Sequence, residues 1–153
     1  MFRQEDRWMA EAQKALERND YSQAESVFGR ILEKDPNSFA GLVHRSLVRI
    51  RLNQLDLALE DAEKASAARP DSAIAWMVLA EVFLAKKDYP AAYEKFKKAL
   101  EHEKDNGRIY FGLGLSAARL GKGLEAGDYF EQALHFEKHY ALAQFMARAF
   151  AQN

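Results

Sequence analysis

What most constrains this chain is a self-similarity at a step of 34 residues. Superposing the Asp35-Pro36-Asn37-Ser38 turn on Pro70-Asp71-Ser72 sets the step, and carrying it along the chain brings four columns into register. Trp8, Leu42, Trp76 and Tyr110 form one column, and Ala24, Ala58, Ala92 and Ala126 a second. Phe28, Ala62, Phe96 and Phe130 form a third, and Ile31, Ala65, Ala99 and Ala133 a fourth. A unit this short cannot bury its apolar face alone, so the chain is expected to stack its repeats, each covering the next. With 3 Pro and 8 Gly, and long stretches of Ala, Leu, Glu and Lys, the sequence predicts an almost wholly helical chain.

The columns have a steric logic. Two helices cross closely only where one offers a small side chain, which places Ala24, Ala58, Ala92 and Ala126 opposite Ala12, Ser46, Ala80 and Gly114. The ring beside each small pair fills the remaining volume. Asp20-Tyr21, Asn53-Gln54, Asp88-Tyr89 and Gly121-Lys122-Gly123 break the helical pattern between paired helices. Pro36 and Pro70 end the second helix of a pair, since the residue before a proline is pushed out of the helical region. Lys104 and Lys138 stand where the later repeats would have that proline, so those ends are expected to fray.

These columns resemble the tetratricopeptide repeat, whose pattern runs Trp, Leu-Gly, Tyr, then Ala, Phe, Ala and Pro. Trp76, Leu79-Ala80, Phe83, Ala92, Phe96 and Ala99 carry it best. The resemblance divides a single domain, 1–153, into repeats 5–38, 39–72, 73–106 and 107–140 and a capping helix 141–153. It implies an all-α fold: an α-solenoid, a right-handed superhelix of antiparallel helix pairs, with nine helices. Arg7, Glu11, Lys14 and Arg18 occupy the face that in the last repeat holds Ile109, Leu113, Ser116 and Leu120. In the final helix Gln144 and Arg148 replace the Trp76 and Ala80 of an earlier repeat. Polar outer faces of this kind cap a solenoid, and a complete domain is expected.

Composition removes several function classes. The 22 Lys and Arg nearly balance 23 Asp and Glu, a net charge of -1, so nothing favours nucleic acid or an anionic membrane surface. Without Cys there are no disulfides, thiolate metal sites or thiol nucleophiles. No apolar run approaches the ~18 residues of a membrane span. The opening MFRQEDRWMAEAQK puts two acids where a signal peptide would be apolar. A soluble, cytoplasmic protein without membrane insertion is expected.

Catalytic and cofactor chemistry finds little support. The glycines of GLSAARLGKG have the wrong spacing for a phosphate-cradling loop and follow no strand. His135 and His139 stand four apart, a metal-binding spacing on a helix, but residue 139 falls in a predicted turn with no convergent carboxylate. No Ser, His and acid, and no paired carboxylates, are brought together by the repeat register, so no enzyme, metal or cofactor is expected. Lys95, Lys97 and Lys98 alternate with Glu94 and Glu101 and read as a solvated face. Arg45, Arg49 and Arg51 lie on a helix with no acid. Two readings stand for them: pairing with Asp56, Glu60 or Asp61 of the following helix, or a secondary site for an acidic partner.

The resemblance also implies a function. In this family the first helix of each repeat lines a concave groove that binds peptides or helices. The fifth residues of the repeats give Met9, Val43, Met77 and Phe111, then Phe145 from the cap; the ninth give Gln13, Leu47, Glu81 and Leu115; the second include Ile74 and Arg108. A subgroup clamps the C-terminal carboxylate of chaperones with Lys, Asn, Asn, Lys and Arg. Here the matching positions hold Met9, Gln13, His44, Ile74 and Val78, which excludes that mode. The trough is mostly apolar, with adaptable Met on its floor. The chain is expected to be a protein-interaction module, an adaptor or small chaperone, holding an apolar peptide or helix of a protein partner. The alternative is a structural scaffold that forms a homodimer through the trough or the cap helix.

Overall fold

The structure, a computed structural model, describes residues 3–136 together with 146, 147, 149 and 150. Among these are eight helices: α1 (Gln4–Glu17), α2 (Tyr21–Lys34), α3 (Phe39–Arg51), α4 (Leu55–Ala68), α5 (Ala73–Ala85), α6 (Tyr89–His102), α7 (Gly107–Arg119) and α8 (Gly123–Phe136). The starts of α3, α5 and α7, and those of α2, α4, α6 and α8, recur at the 34-residue step with no insertion. The capping helix expected over 141–153 lies mostly outside the described residues, as do Lys138, Gln144 and Arg148.

Each helix pair turns through one left-handed residue at the same repeat position: Asn19 (φ 57°), Asn53 (φ 59°), Lys87 (φ 64°) and Gly121 (φ 76°). The next amide then reaches back five residues. Asp20 N–H bonds the Ala15 carbonyl at 2.8 Å, Gln54 that of Arg49 at 2.8 Å, Asp88 that of Phe83 at 2.9 Å and Lys122 that of Ala117 at 2.9 Å. This is the Schellman closure, which satisfies carbonyls left over at a helix end. Glycine and asparagine enter that conformation readily, whereas Lys87 does so against the contact of its Cβ with the following carbonyl.

Side-chain caps start the helices that come next. Asp20 and Asp88 accept from the amides of Gln23 (3.1 Å) and Ala91 (3.2 Å), and Ser38 and Ser72 from those of Gly41 (3.1 Å) and Ala75 (3.4 Å). The proline after a pair is not what sets the helix end. α6 stops at His102, the repeat position of Lys34 and Ala68, although Lys104 replaces the proline.

The chain divides into two units, Met1–Pro70 and Asp71–Asn153. In the first, α1 packs on α2, α2 on α3 and α3 on α4. Its core joins Ala12, Ala15 and Ala24 to Val27, Phe28, Ile31 and Val48, with Trp8, Met9 and Leu16 against it. The small pair of the second repeat carries a hydroxyl, and Ser46 Oγ donates it to the Ala58 carbonyl at 2.8 Å. That bond removes most of the penalty for burying it.

In the second unit α5 packs on α6, α6 on α7 and α7 on α8. Ala80, Ala92, Phe96, Ile109, Leu113 and Phe130 form the centre of its core. A methyl group at Gly114 would meet Phe130 Cε1 at 2.5 Å, and one at Gly112 would press still closer on the Phe96 ring. The glycines inside α7 therefore make room for the two phenylalanines, as the small-residue column requires. From the chain end, Phe150 covers Phe130 with ring centres 6.0 Å apart and lies over Gly127, where a Cβ would stand 3.3 Å from its own.

Candidate functional site

The trough columns differ between the units. In the first, Met9 and Leu47 are half-buried, Gln13 is exposed and Val43 is buried. His44 lies half-buried with its ring flat on Phe28, centroids 5.4 Å apart and planes within 11°. Burial there lowers its pKa from the ordinary 6.5, because the imidazolium would lose hydration. In the second unit Ile74 is 46% exposed, and Phe111 and Leu115 are half-buried. Phe111 also touches the core, its ring 5.7 Å from that of Phe130.

Three expected trough residues face inward instead, Val43 of the first unit and two of the second. Met77 is 6% exposed and belongs to the core of the second unit, and Val78 is fully buried. Helix α5, AIAWMVLAEVFLA, is apolar on every side except at Glu81, so the sequence pattern cannot tell its lining face from its packing face. Phe145 lies outside the described residues.

The trough columns also contain an ion pair not expected from the sequence. Arg108 donates from Nε to Glu81 Oε1 at 2.6 Å and from Nη2 to Oε2 at 2.9 Å, tying α7 to α5. The signal was present: the ninth position of one repeat lies beside the second position of the next, so the two columns meet across neighbouring first helices.

For the arginines of α3, the structure decides between the two readings. Arg45 donates from Nε and Nη2 to Asp61 at 2.8 and 2.7 Å, and Arg49 donates from Nη1 to Asp61 at 2.8 Å and from Nε to Glu25 at 2.9 Å. Asp61 is 1% exposed, so its charge is sustained by these two guanidinium groups. The Arg45 pKa is raised, first by the hydrogen bond to Asp61, against the opposing effect of burial. Arg45 and Arg49 are thus committed to the helices on either side, and the expectation of a secondary acidic-partner site is corrected for both. Arg51 is exposed.

Other candidates resolve simply. Lys95 and Lys98 lie over the Trp76 ring at 5.4 and 4.6 Å, and Lys97 over Tyr93 at 5.3 Å, so these cations cover aromatic faces rather than standing in water alone. His135 is exposed, and His139 lies outside the described residues. Among the described residues no three His, Cys, Asp or Glu are grouped to hold a metal ion, and no helix is long and apolar enough to cross a membrane.

The tetratricopeptide repeat family matches residues 9–60, 45–101 and 91–145 in overlapping segments. The chain belongs to that family. Among curated tetratricopeptide relatives, a small glutamine-rich tetratricopeptide repeat-containing protein of Mycosarcoma maydis is 30% identical over 111 residues, 72% of this chain and 32% of that protein. A heat-shock cognate co-chaperone of Aspergillus fumigatus is 28% identical over 114 residues, 74% of this chain and 33% of that protein. The chain spans a third or less of the length of the curated relatives it matches. The crystal structure of a thermophilic tetratricopeptide protein of Thermus thermophilus superposes with a TM-score of 0.86 at 21% identity, over 97% of this chain and 81% of that one. The fold is therefore the all-helical tetratricopeptide solenoid, and the chain is of a family that serves protein–protein interaction.

Proposed function

We propose that the chain is an adaptor or small chaperone that holds an apolar peptide or helix of a partner protein on its first helices, with the second unit supplying the main anchor. The observation that carries this reading is Ile74, 46% exposed at the start of α5: of the three large hydrophobics exposed among the described residues, Leu57, Ile74 and Leu124, it is the one that stands in a trough column. Phe111 and Leu115 of α7, at the fifth and ninth positions of the next repeat, also keep part of their surface. A partner segment gains roughly 25 cal/mol per Å² of apolar area buried there, less the cost of ordering it. Similarity to a co-chaperone brings no carboxylate clamp with it. The carboxylate-clamp positions hold Met9, Gln13, His44, Ile74 and Val78, which supply no cation.

Selection of displayed random dodecapeptides on the immobilised chain tests the proposal. Wild type is expected to enrich Leu, Ile, Phe and Met, with binding only weakly dependent on salt. Ile74→Glu should abolish that enrichment with unchanged helicity, because Ile74 lies on the surface. Enrichment that survives the substitution would place binding elsewhere. Light scattering on dilution separates the alternative: a dimer that Ile74→Glu converts to monomer would assign the same surface to self-association.

A further inference from the structure

The trough of the second unit carries one charge that points outward, and its role as a recognition group depends on the trough being the binding surface. Among the side chains filling the second, fifth and ninth positions of the four repeats, Arg108 is the one cation. It is 47% exposed, while its partner Glu81 is 18% exposed, so the pair lies as a dipole with its positive end toward solvent. Arg108 also sits in the first turn of α7, which contains no acidic residue, and the partial positive charge of a helix N-terminus adds to its field.

The geometry leaves donors available. A guanidinium has five N–H groups, and Glu81 takes one from Nε and one from Nη2. The other three have no partner among the described residues. The two-point contact fixes the plane of the fork, so the open edge is held in one orientation rather than sampled. The same column of the preceding repeat holds exposed Ile74. A ligand lying across α5 and α7 would therefore meet an apolar anchor and an oriented cationic donor edge together. In the first unit that column starts with Asp6, which is exposed and has the opposite charge.

We propose that Arg108 is a specificity residue, selecting partner segments in which an Asp or Glu side chain flanks the apolar anchor, with Glu81 as the positioning residue that holds the fork open. A carboxylate is favoured over a neutral acceptor because charge-assisted hydrogen bonds to guanidinium are about twice as strong as neutral ones. Glu81 already balances the formal charge of Arg108, so the preference acts through short-range bonding and is expected to be modest.

The same dodecapeptide selection tests this separately from the trough itself. Peptides from wild type should be enriched in Asp or Glu beside the apolar anchor. From Arg108→Gln they should keep the apolar enrichment and lose the acidic one, with Arg108→Lys intermediate because it retains charge without the fork. A selected peptide resynthesised with Gln for its acid should bind wild type about tenfold more weakly, and Arg108→Gln with no such difference. Glu81→Gln, which keeps one acceptor and gives up the two-point hold on the fork, should narrow the preference for the acid towards that of Arg108→Lys. Apolar enrichment with no acidic preference, or one that persists in Arg108→Gln, overturns the inference and leaves the trough standing. Loss of all apolar enrichment in wild type overturns the trough as the binding surface and this inference with it.

Discussion

Removing Asp61 is the sharpest test of what holds the first unit together. Its carboxylate accepts three charge-assisted hydrogen bonds, two from Arg45 and one from Arg49, at 2.7 to 2.8 Å. Such bonds are each worth about 1.5–3 kcal/mol. Asp61→Ala deletes all three and leaves two guanidinium groups facing each other, relieved by their partial exposure and by the Arg49 bond to Glu25 at 2.9 Å. The net loss should fall near 3–5 kcal/mol, the range for breaking a buried ion pair from one side. Trp8 packs on the core of the first unit and Trp76 on that of the second. Urea titration of Trp8 fluorescence in a Trp76→Phe background therefore reads the affected part of the chain. With a urea dependence of roughly 1–3 kcal/mol per molar, the midpoint should drop by more than about 1 M, or the first unit should be unfolded in buffer. Replacing Asp61, Arg45 and Arg49 together by Leu, Met and Met should recover most of that loss, since apolar packing of similar volume often equals or exceeds a buried charge cluster. A cost below about 1 kcal/mol for Asp61→Ala would refute the reasoning, because the network would then be a surface decoration.

Lys87→Asn, which restores the residue found at positions 19 and 53 to the left-handed turn position, should raise stability by about 0.5–1 kcal/mol, read as a higher thermal midpoint. A lower midpoint would show that Lys87 is not strained there. His44 has its pKa lowered by burial, so the unfolded chain takes up the proton first. Its contribution is full above about pH 6.5 and is lost as pH falls below that value. Wild type should therefore lose more stability between pH 7.5 and 5.5 than His44→Phe, which keeps the stacking on Phe28; equal losses would remove His44 as the cause. Arg45, whose pKa is raised, works in the opposite sense, and its contribution is lost only in strong alkali.

The repeat step was legible because every column is set by size. A small residue is needed where helices cross and a ring where they diverge, so Ala24, Ala92, Phe28 and Phe96 announce their places. The turns were legible as breaks but not as one conformation, because four positions with the same left-handed backbone are filled by Asn, Asn, Lys and Gly. The candidate site was legible at the level of helix and column, and less well at the level of depth. Met77 and Ile74 are three apart on the same helix, yet one is buried and the other exposed, and α5 is too uniformly apolar for periodicity to separate them. The Arg45–Asp61 pair was within reach as one of two readings. Choosing it required knowing that Asp61 turns inward, and an aspartate on an otherwise mixed helix gives no sign of that.

The charge cluster around Asp61 also shapes which sequences a lineage carrying it can pass through. An apolar version of that position is accessible only after three side chains have changed, and every intermediate that loses Asp61 first strands Arg45 and leaves Arg49 with Glu25 alone. Paths that begin at Arg45 or Arg49 leave a carboxylate that is 1% exposed with a single guanidinium partner, which is also costly. Substitutions there are therefore strongly epistatic, with coupling energies of the order of 0.5–3 kcal/mol expected for residues in one network. Descendants should retain all of the cluster or none of it, so aligned orthologues would show the three positions changing together and Glu25, which is more open to solvent, drifting on its own.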